Sequence, residues 1–104
     1  FASWCVPCIG EAPILGDLRR RGVRIDGIAI RDRPEDVALF LAKHGDPYDR
    51  IGSDVNSRVQ VALGSSGVPE SFVVDGRGVI RWQHVGAVTS ADVPEVLAQL
   101  EEAQ

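Results

Sequence analysis

The sequence predicts one α/β domain. Apolar residues recur at helical spacing in several segments, β-branched runs lie between them, and glycine- or proline-bearing turns punctuate the order α-β-α-(α)-β-β-α. The chain has 104 residues, 44% hydrophobic and 25% charged, which fits a single domain with one modest core.

The elements follow in order. Phe1-Ala2-Ser3 reads as the tail of a strand, so a further strand is expected ahead of it. Val6 to Leu18 is helical, with Ile9, Ala12, Ile14, Leu15 and Leu18 toward one face and Gly22 placed to end it. Pro13 inside it is expected to kink the helix, because its ring removes an intrahelical bond. Val23 to Ile30 is a β-branched run with an apolar finish, the pattern of a central strand. Asp32-Arg33-Pro34-Glu35 resembles a helix start, with Asp32 as cap and Glu35 three residues on. Val37, Phe40 and Leu41 supply that helix's apolar face, and Gly45 closes it.

Tyr48 to Gly52 is weakly extended, Asn56 to Leu63 fits a short helix, and Gly64 to Gly67 a loop. Val68 to Asp75 and Val79 to Val85 flank Gly76-Arg77-Gly78, which predicts a β-hairpin. Thr89-Ser90 can cap a last helix whose Val93, Val96, Leu97 and Leu100 recur at helical spacing.

Charge and length exclude several classes. The net charge is −4 with a pI near 5.0, and the only basic run, Arg19-Arg20-Arg21, reads as a solvated helix end. Nucleic acid binding therefore has no footprint. No apolar run approaches the ~20 residues that span a bilayer. Of two cysteines and two histidines, neither His44 nor His84 has a partner at ligand spacing, so a four-ligand zinc site is poorly supplied. No cofactor is expected beyond a redox-active cysteine pair.

That pair lies in Trp4-Cys5-Val6-Pro7-Cys8, just ahead of the first helix. Two thiols at this spacing can close a small reversible disulfide, which constrains too short a loop to stabilise the fold much. A helix N-terminus favours the thiolate, the reactive form. Cys5, at the cap or first turn, is the expected attacking thiol. Cys8, one turn inside, is expected to be more buried and to resolve the mixed disulfide. Two buried, inert thiols are the plainer reading.

Glu11 stands three residues past Cys8, one helical turn below it. A carboxylate there would disfavour the thiolate and could shuttle a proton, which favours a reducing pair. A surface glutamate near a helix start is the alternative. Pro69 opens a strand after a glycine-flanked loop and is a candidate cis proline, against an ordinary trans one. In cis, beside the dithiol, it would leave the backbone open for a substrate strand. Trp4 reads as packing, Trp82 as a half-buried sheet residue, His44 as a helix-end cation and His84 as a surface or edge residue.

Together, Phe1 to Cys8 with Glu11, Ala12 and Pro13 resemble the active-site segment of extracytoplasmic thioredoxin-like proteins. Gly67-Val68-Pro69-Glu70-Ser71-Phe72-Val73-Val74-Asp75-Gly76-Arg77-Gly78 resembles the matching segment of the CcmG/DsbE subgroup, reductases of cytochrome c maturation near TlpA and ResA-type proteins. The resemblance runs on through Gly45 to Tyr48 and Arg81 to Gly86, with Ser71 where threonine is usual. It implies a thioredoxin-like fold with a central mixed sheet flanked by helices, and a catalytic set of Cys5, Cys8, Glu11 and Pro69. Trp4, Pro7, Val68 and Glu70 would border a substrate groove, as would the loop from Leu63 to Gly67.

It further implies an apocytochrome c client, a membrane thiol reductant as electron donor, and a periplasmic domain tethered to the inner membrane. Residues 1–104 are accordingly expected to be a thioredoxin-like domain lacking its N-terminal strand and anchor. Other readings are a general extracytoplasmic reductase or oxidase of the same fold, a non-catalytic peptide-binding module, and a zinc-binding domain.

Overall fold

Val6–Arg20 forms helix α1 in the computed structural model, which describes all residues from Phe1 to Gln104. Its N-cap is Cys5, and Pro7 in the first turn brings a backbone angle already suited to a helix. The buried residues are Cys8, Glu11, Ala12, Leu15 and Leu18, a stripe at three- and four-residue steps. Ile9, expected on that stripe, is 38% exposed because it lies one position round from Cys8. The helix runs on through an exposed Pro13. It stops at Gly22, whose φ of 93° suits glycine.

Strand β1 (Asp26–Ile30) pairs in parallel with β2 (Arg50–Asp54), with Asp26 opposite Arg50 and Ile30 opposite Asp54. Helix α2 (Pro34–His44) is the crossover between them. β1 begins at Asp26 rather than Val23 because the preceding amides are used elsewhere. Val23 N–H donates to Leu18 O at the helix end, and Ile25 N–H to Asp49 Oδ2. Gly27 is required within β1, since a Cβ there would stand 2.7 Å from Cδ1 of the Tyr48 ring. That ring stacks on Phe1 with centroids 4.7 Å apart. On the other edge of β1, the Phe1 amine donates to Ile28 O and Ile30 N–H to Phe1 O, each at 2.9 Å. The opening residue is thus strand-like, as its sequence suggested.

Helix α3 (Arg58–Leu63) begins later than Asn56. Its first amides are held by buried Asp54 at the end of β2, which accepts from Val59 N–H at 3.2 Å and Gln60 N–H at 2.9 Å. Strands β3 (Glu70–Val74) and β4 (Ile80–Val85) form the expected antiparallel hairpin. Its turn is organised by Asp75, which accepts from Arg77 and Val79 N–H. Thr89 and Asp92 form a capping box over a 3₁₀ turn (Ser90–Asp92) that leads into α4 (Val93–Glu102).

Parallel and antiparallel pairing are both present, yet the two strand pairs are not hydrogen-bonded to each other. A cleft of about 1240 Å³ is lined from both pairs, with Ile28 and Val73 on the strands and Leu15, Leu18, Val96 and Leu97 on the helices. The core is correspondingly in two parts. Phe1, Ala2, Cys5, Cys8, Ala29, Val37 and Phe40 form one, and Leu15, Leu18, Val88, Val93 and Val96 the other. α1 contributes to both, and Glu11 lies between its two contributions. No helix is long and apolar enough to cross a membrane.

Candidate active site at the start of the first helix

Cys5 and Cys8 are joined as a disulfide, their Cα atoms 5.3 Å apart. Cys5 has the extended backbone of an N-cap, and its Sγ accepts from Cys8 N–H at 3.3 Å. The sulfur thus sits where a cap oxygen would, facing the free amides of the first turn. Any negative charge that Cys5 acquires on reduction would be stabilised by this amide and by the helix dipole. The expected difference in burial is absent: Cys5 is 4% exposed and Cys8 3%, both inside the first core cluster. Around them Trp4 is 52% exposed, and Val6 and Pro7 are also exposed, so an apolar surface borders the buried sulfurs.

Glu11 is fully buried, on the stripe that carries Cys8 one turn above. Its Oε1 accepts from Val88 N–H at 3.0 Å, which ties α1 to the segment before α4. Burial raises its carboxyl pKa above the ordinary value, an effect only partly opposed by the Val88 amide and His84. The surface-glutamate alternative is therefore incorrect for this residue. His84, read as a surface or edge residue, is half-buried with Nε2 3.1 Å from Ala87 O.

The Val68–Pro69 peptide is cis. Pro69 is buried, its carbonyl accepts from Gly86 N–H at 2.9 Å, and Val68 packs against the cluster that holds both cysteines. Val68 itself makes no backbone–backbone hydrogen bond. Glu70 begins β3, and its carboxylate turns back onto the preceding loop. Burial pushes its pKa up, but hydrogen bonds from Gln83, Ser66, Ser65 and Gly67 outweigh this and hold it below the ordinary range.

One residue packed near the motif was misread in the sequence. Asp32 is no helix cap: Arg33 is the N-cap of α2, and no side chain caps that end. The Asp32 carboxylate instead accepts from Ser3 N–H and, at 2.7 Å, from Ser3 Oγ. Trp4 Nε1 donates to Arg31 O at 3.2 Å, and the Arg31 guanidinium lies 5.6 Å from the centre of a Trp4 ring. The loop after β1 thus fixes the two residues ahead of Cys5. Arg31's φ of 46° helps shape that loop. The local capping signal at Asp32 was real, but a long-range donor outcompeted it. No group of three or more Cys, His, Asp or Glu side chains is arranged to hold a metal.

Comparison with known proteins finds thiol:disulfide interchange proteins among the relatives of this chain. Thiol:disulfide interchange protein HelX of Rhodobacter capsulatus is 43% identical over 89 residues, covering 86% of this chain and 51% of that protein. Thiol:disulfide interchange protein DsbE of Vibrio cholerae is 38% identical over 102 residues, 98% of this chain and 55% of that protein. The chain spans about half the length of these relatives. The structure of MTB dsbF matches with a TM-score of 0.81 at 22% identity, over 100% of this chain and 76% of that one, which establishes the fold. The fold is α/β and thioredoxin-like. The Redoxin family profile matches residues 1–100, and the chain belongs to the Redoxin family.

Proposed function

We propose that this protein is a thiol:disulfide oxidoreductase that reduces disulfides in extended protein segments through Cys5 and Cys8. The observation that carries this reading is the Cys5 sulfur at a helix N-cap, accepting from Cys8 N–H, beside the open backbone of Val68. In the reduced protein, the Cys5 thiolate attacks one sulfur of a client disulfide. A Cys5–client mixed disulfide forms and the first client thiolate leaves. Cys8 then loses its proton and attacks Cys5 Sγ, which frees the second client thiolate and closes Cys5–Cys8. Two electrons pass to the client, and an external dithiol must return them.

Glu11 is suited to receive or return the Cys8 proton, since burial keeps its carboxyl closer to neutrality than a solvated one. Val68 N–H and C=O are available to pair with a client strand, while Trp4, Val6 and Pro7 supply apolar contact. The likeness to HelX and DsbE, both thiol:disulfide interchange proteins, supports exchange chemistry at the pair, which the present reading takes as reduction outside the cytoplasm. The client would be the haem-attachment cysteines of apocytochrome c, and a membrane thiol reductant would recharge the pair.

Turnover of an oxidised Cys-x-x-Cys peptide tests this. Cys5→Ser should abolish it, and Cys8→Ser should accumulate a mixed disulfide. Activity that survives Cys5→Ser would sink the reading, and a wild-type protein that binds the peptide without turning it over would favour a non-catalytic peptide binder. A potential near about −270 mV marks a reductant, and one near about −120 mV an oxidant.

A further inference from the structure

Glu70 and its partners form a clamp that the dithiol chemistry does not use. Oε1 accepts from Ser66 N–H at 2.8 Å, Gly67 N–H at 3.1 Å and Ser66 Oγ at 3.2 Å. Oε2 accepts from Gln83 Nε2 at 2.7 Å, and Gln83 stands on the neighbouring strand β4. Ser65 Oγ adds a bond to Gly67 O at 3.1 Å, and Gly86 N–H holds Pro69 O. The residues on either side of Val68 are therefore tied down, while its own backbone groups are left open.

A Gly-Ser-Ser-Gly stretch has little shape of its own, and ordering each such residue costs entropy. A charged acceptor shared by several donors opposes that cost.

We propose that Glu70, braced by Gln83, is a positioning residue that holds the Ser66–Val68 backbone in the shape that receives a client strand. It acts through Val68 and has no part in the exchange at sulfur. This rests on the reading of Val68 as the edge where the client docks.

The test compares an oxidised Cys-x-x-Cys peptide with a small aromatic disulfide such as 5,5′-dithiobis(2-nitrobenzoic acid) as substrates. Glu70→Ala should raise KM for the peptide about tenfold, the scale of one lost charge-assisted hydrogen bond. Its kcat, its rate with the small disulfide and the Cys5–Cys8 potential should stay within about twofold, below the scale of that one bond. Glu70→Gln should recover most of the loss, because its amide oxygen can still accept from Ser66 and Gly67. Gln83→Ala should move KM the same way, by less.

An unchanged peptide KM in Glu70→Ala overturns the proposal. So does an equal defect in Glu70→Gln, which would mean that the charge itself meets the client. A parallel fall in the small-disulfide rate also overturns it, because Glu70 would then act on the thiols. A wild-type protein that reduces the small disulfide but not the peptide overturns the docking reading and this proposal together, before any variant is made.

Discussion

Glu11 and Glu70 are the same chemical group in two parts of one fold, and their surroundings drive them in opposite directions. Glu11 is sealed beneath α1 with a single amide donor, and its pKa rises. Glu70 lies near the surface with donors from Ser66, Gly67 and Gln83, and its pKa falls. What separates them is whether the protein replaces the hydrogen bonds that water would have given. One N–H does not replace a hydration shell, whereas a loop wrapped around the carboxylate does. The first arrangement suits the proton carrier proposed for Glu11, and the second the structural anchor proposed for Glu70.

The largest way to break this contrast is to remove the buried carboxyl. Glu11→Ala should cost about 1–3 kcal/mol of stability near pH 5, because buried Val88 N–H loses its acceptor. Urea unfolding measures it, and a midpoint equal to wild type would show that Glu11 is not structural. Next is Asp32→Ala, which frees Ser3 and should cost about 1–2 kcal/mol by the same measurement. Thiol reactivity should change with it if the Ser3–Trp4 anchor matters to Cys5.

The sign of the pH dependence gives a finer comparison. Glu11 has a raised pKa in the fold, so its contribution is fully present below the ordinary carboxylate range and is lost as pH rises through the raised value. Glu11→Gln should therefore gain on wild type as pH rises from the ordinary carboxylate range through the raised value. Its cysteine alkylation profile should also move to lower pH, with no carboxylate opposing the thiolate. A flat difference across that range would remove the proton-carrier role. Glu70 runs the other way. Its contribution is present above the ordinary range and is lost as pH falls through its lowered value. Being near the surface, it should contribute less than about 1 kcal/mol, the smallest effect of the set. Acid unfolding of Glu70→Gln against wild type reads it: the variant's deficit should be full near neutral pH and fade as pH falls through the lowered value, and a deficit that persists unchanged in acid would contradict the clamp.

How much of this was legible beforehand depended on the range of the interaction. The dithiol, its place at a helix N-cap, the hairpin and the Thr89 start of the last helix are local patterns, and the structure contains them. Asp32 shows where local reading fails. Its spacing to Glu35 obeys a helix-start rule, yet its carboxylate pairs with Ser3, which lies 29 residues away in sequence. Ile9 failed for a simpler reason, since one residue's rotation about a helix separates a buried position from an exposed one. Glu11 was singled out by its spacing from Cys8, but its burial could not be read there. Its partner Val88 is 77 residues away.

Sequence by itself determined the chemistry on offer: two thiols one helical turn apart, an acid one turn further, and a proline before a strand. Those depend on spacings of three or four residues, which the geometry of a helix converts directly into neighbours. Tertiary structure alone decided the electrostatics and the access. It put Glu11 out of reach of water and surrounded Glu70 with donors. It packed Val68 against the core cluster that holds the cysteines and left its backbone without backbone partners. Charge and exposure are properties of everything packed around a group, and most of what surrounds this dithiol comes from distant parts of the chain.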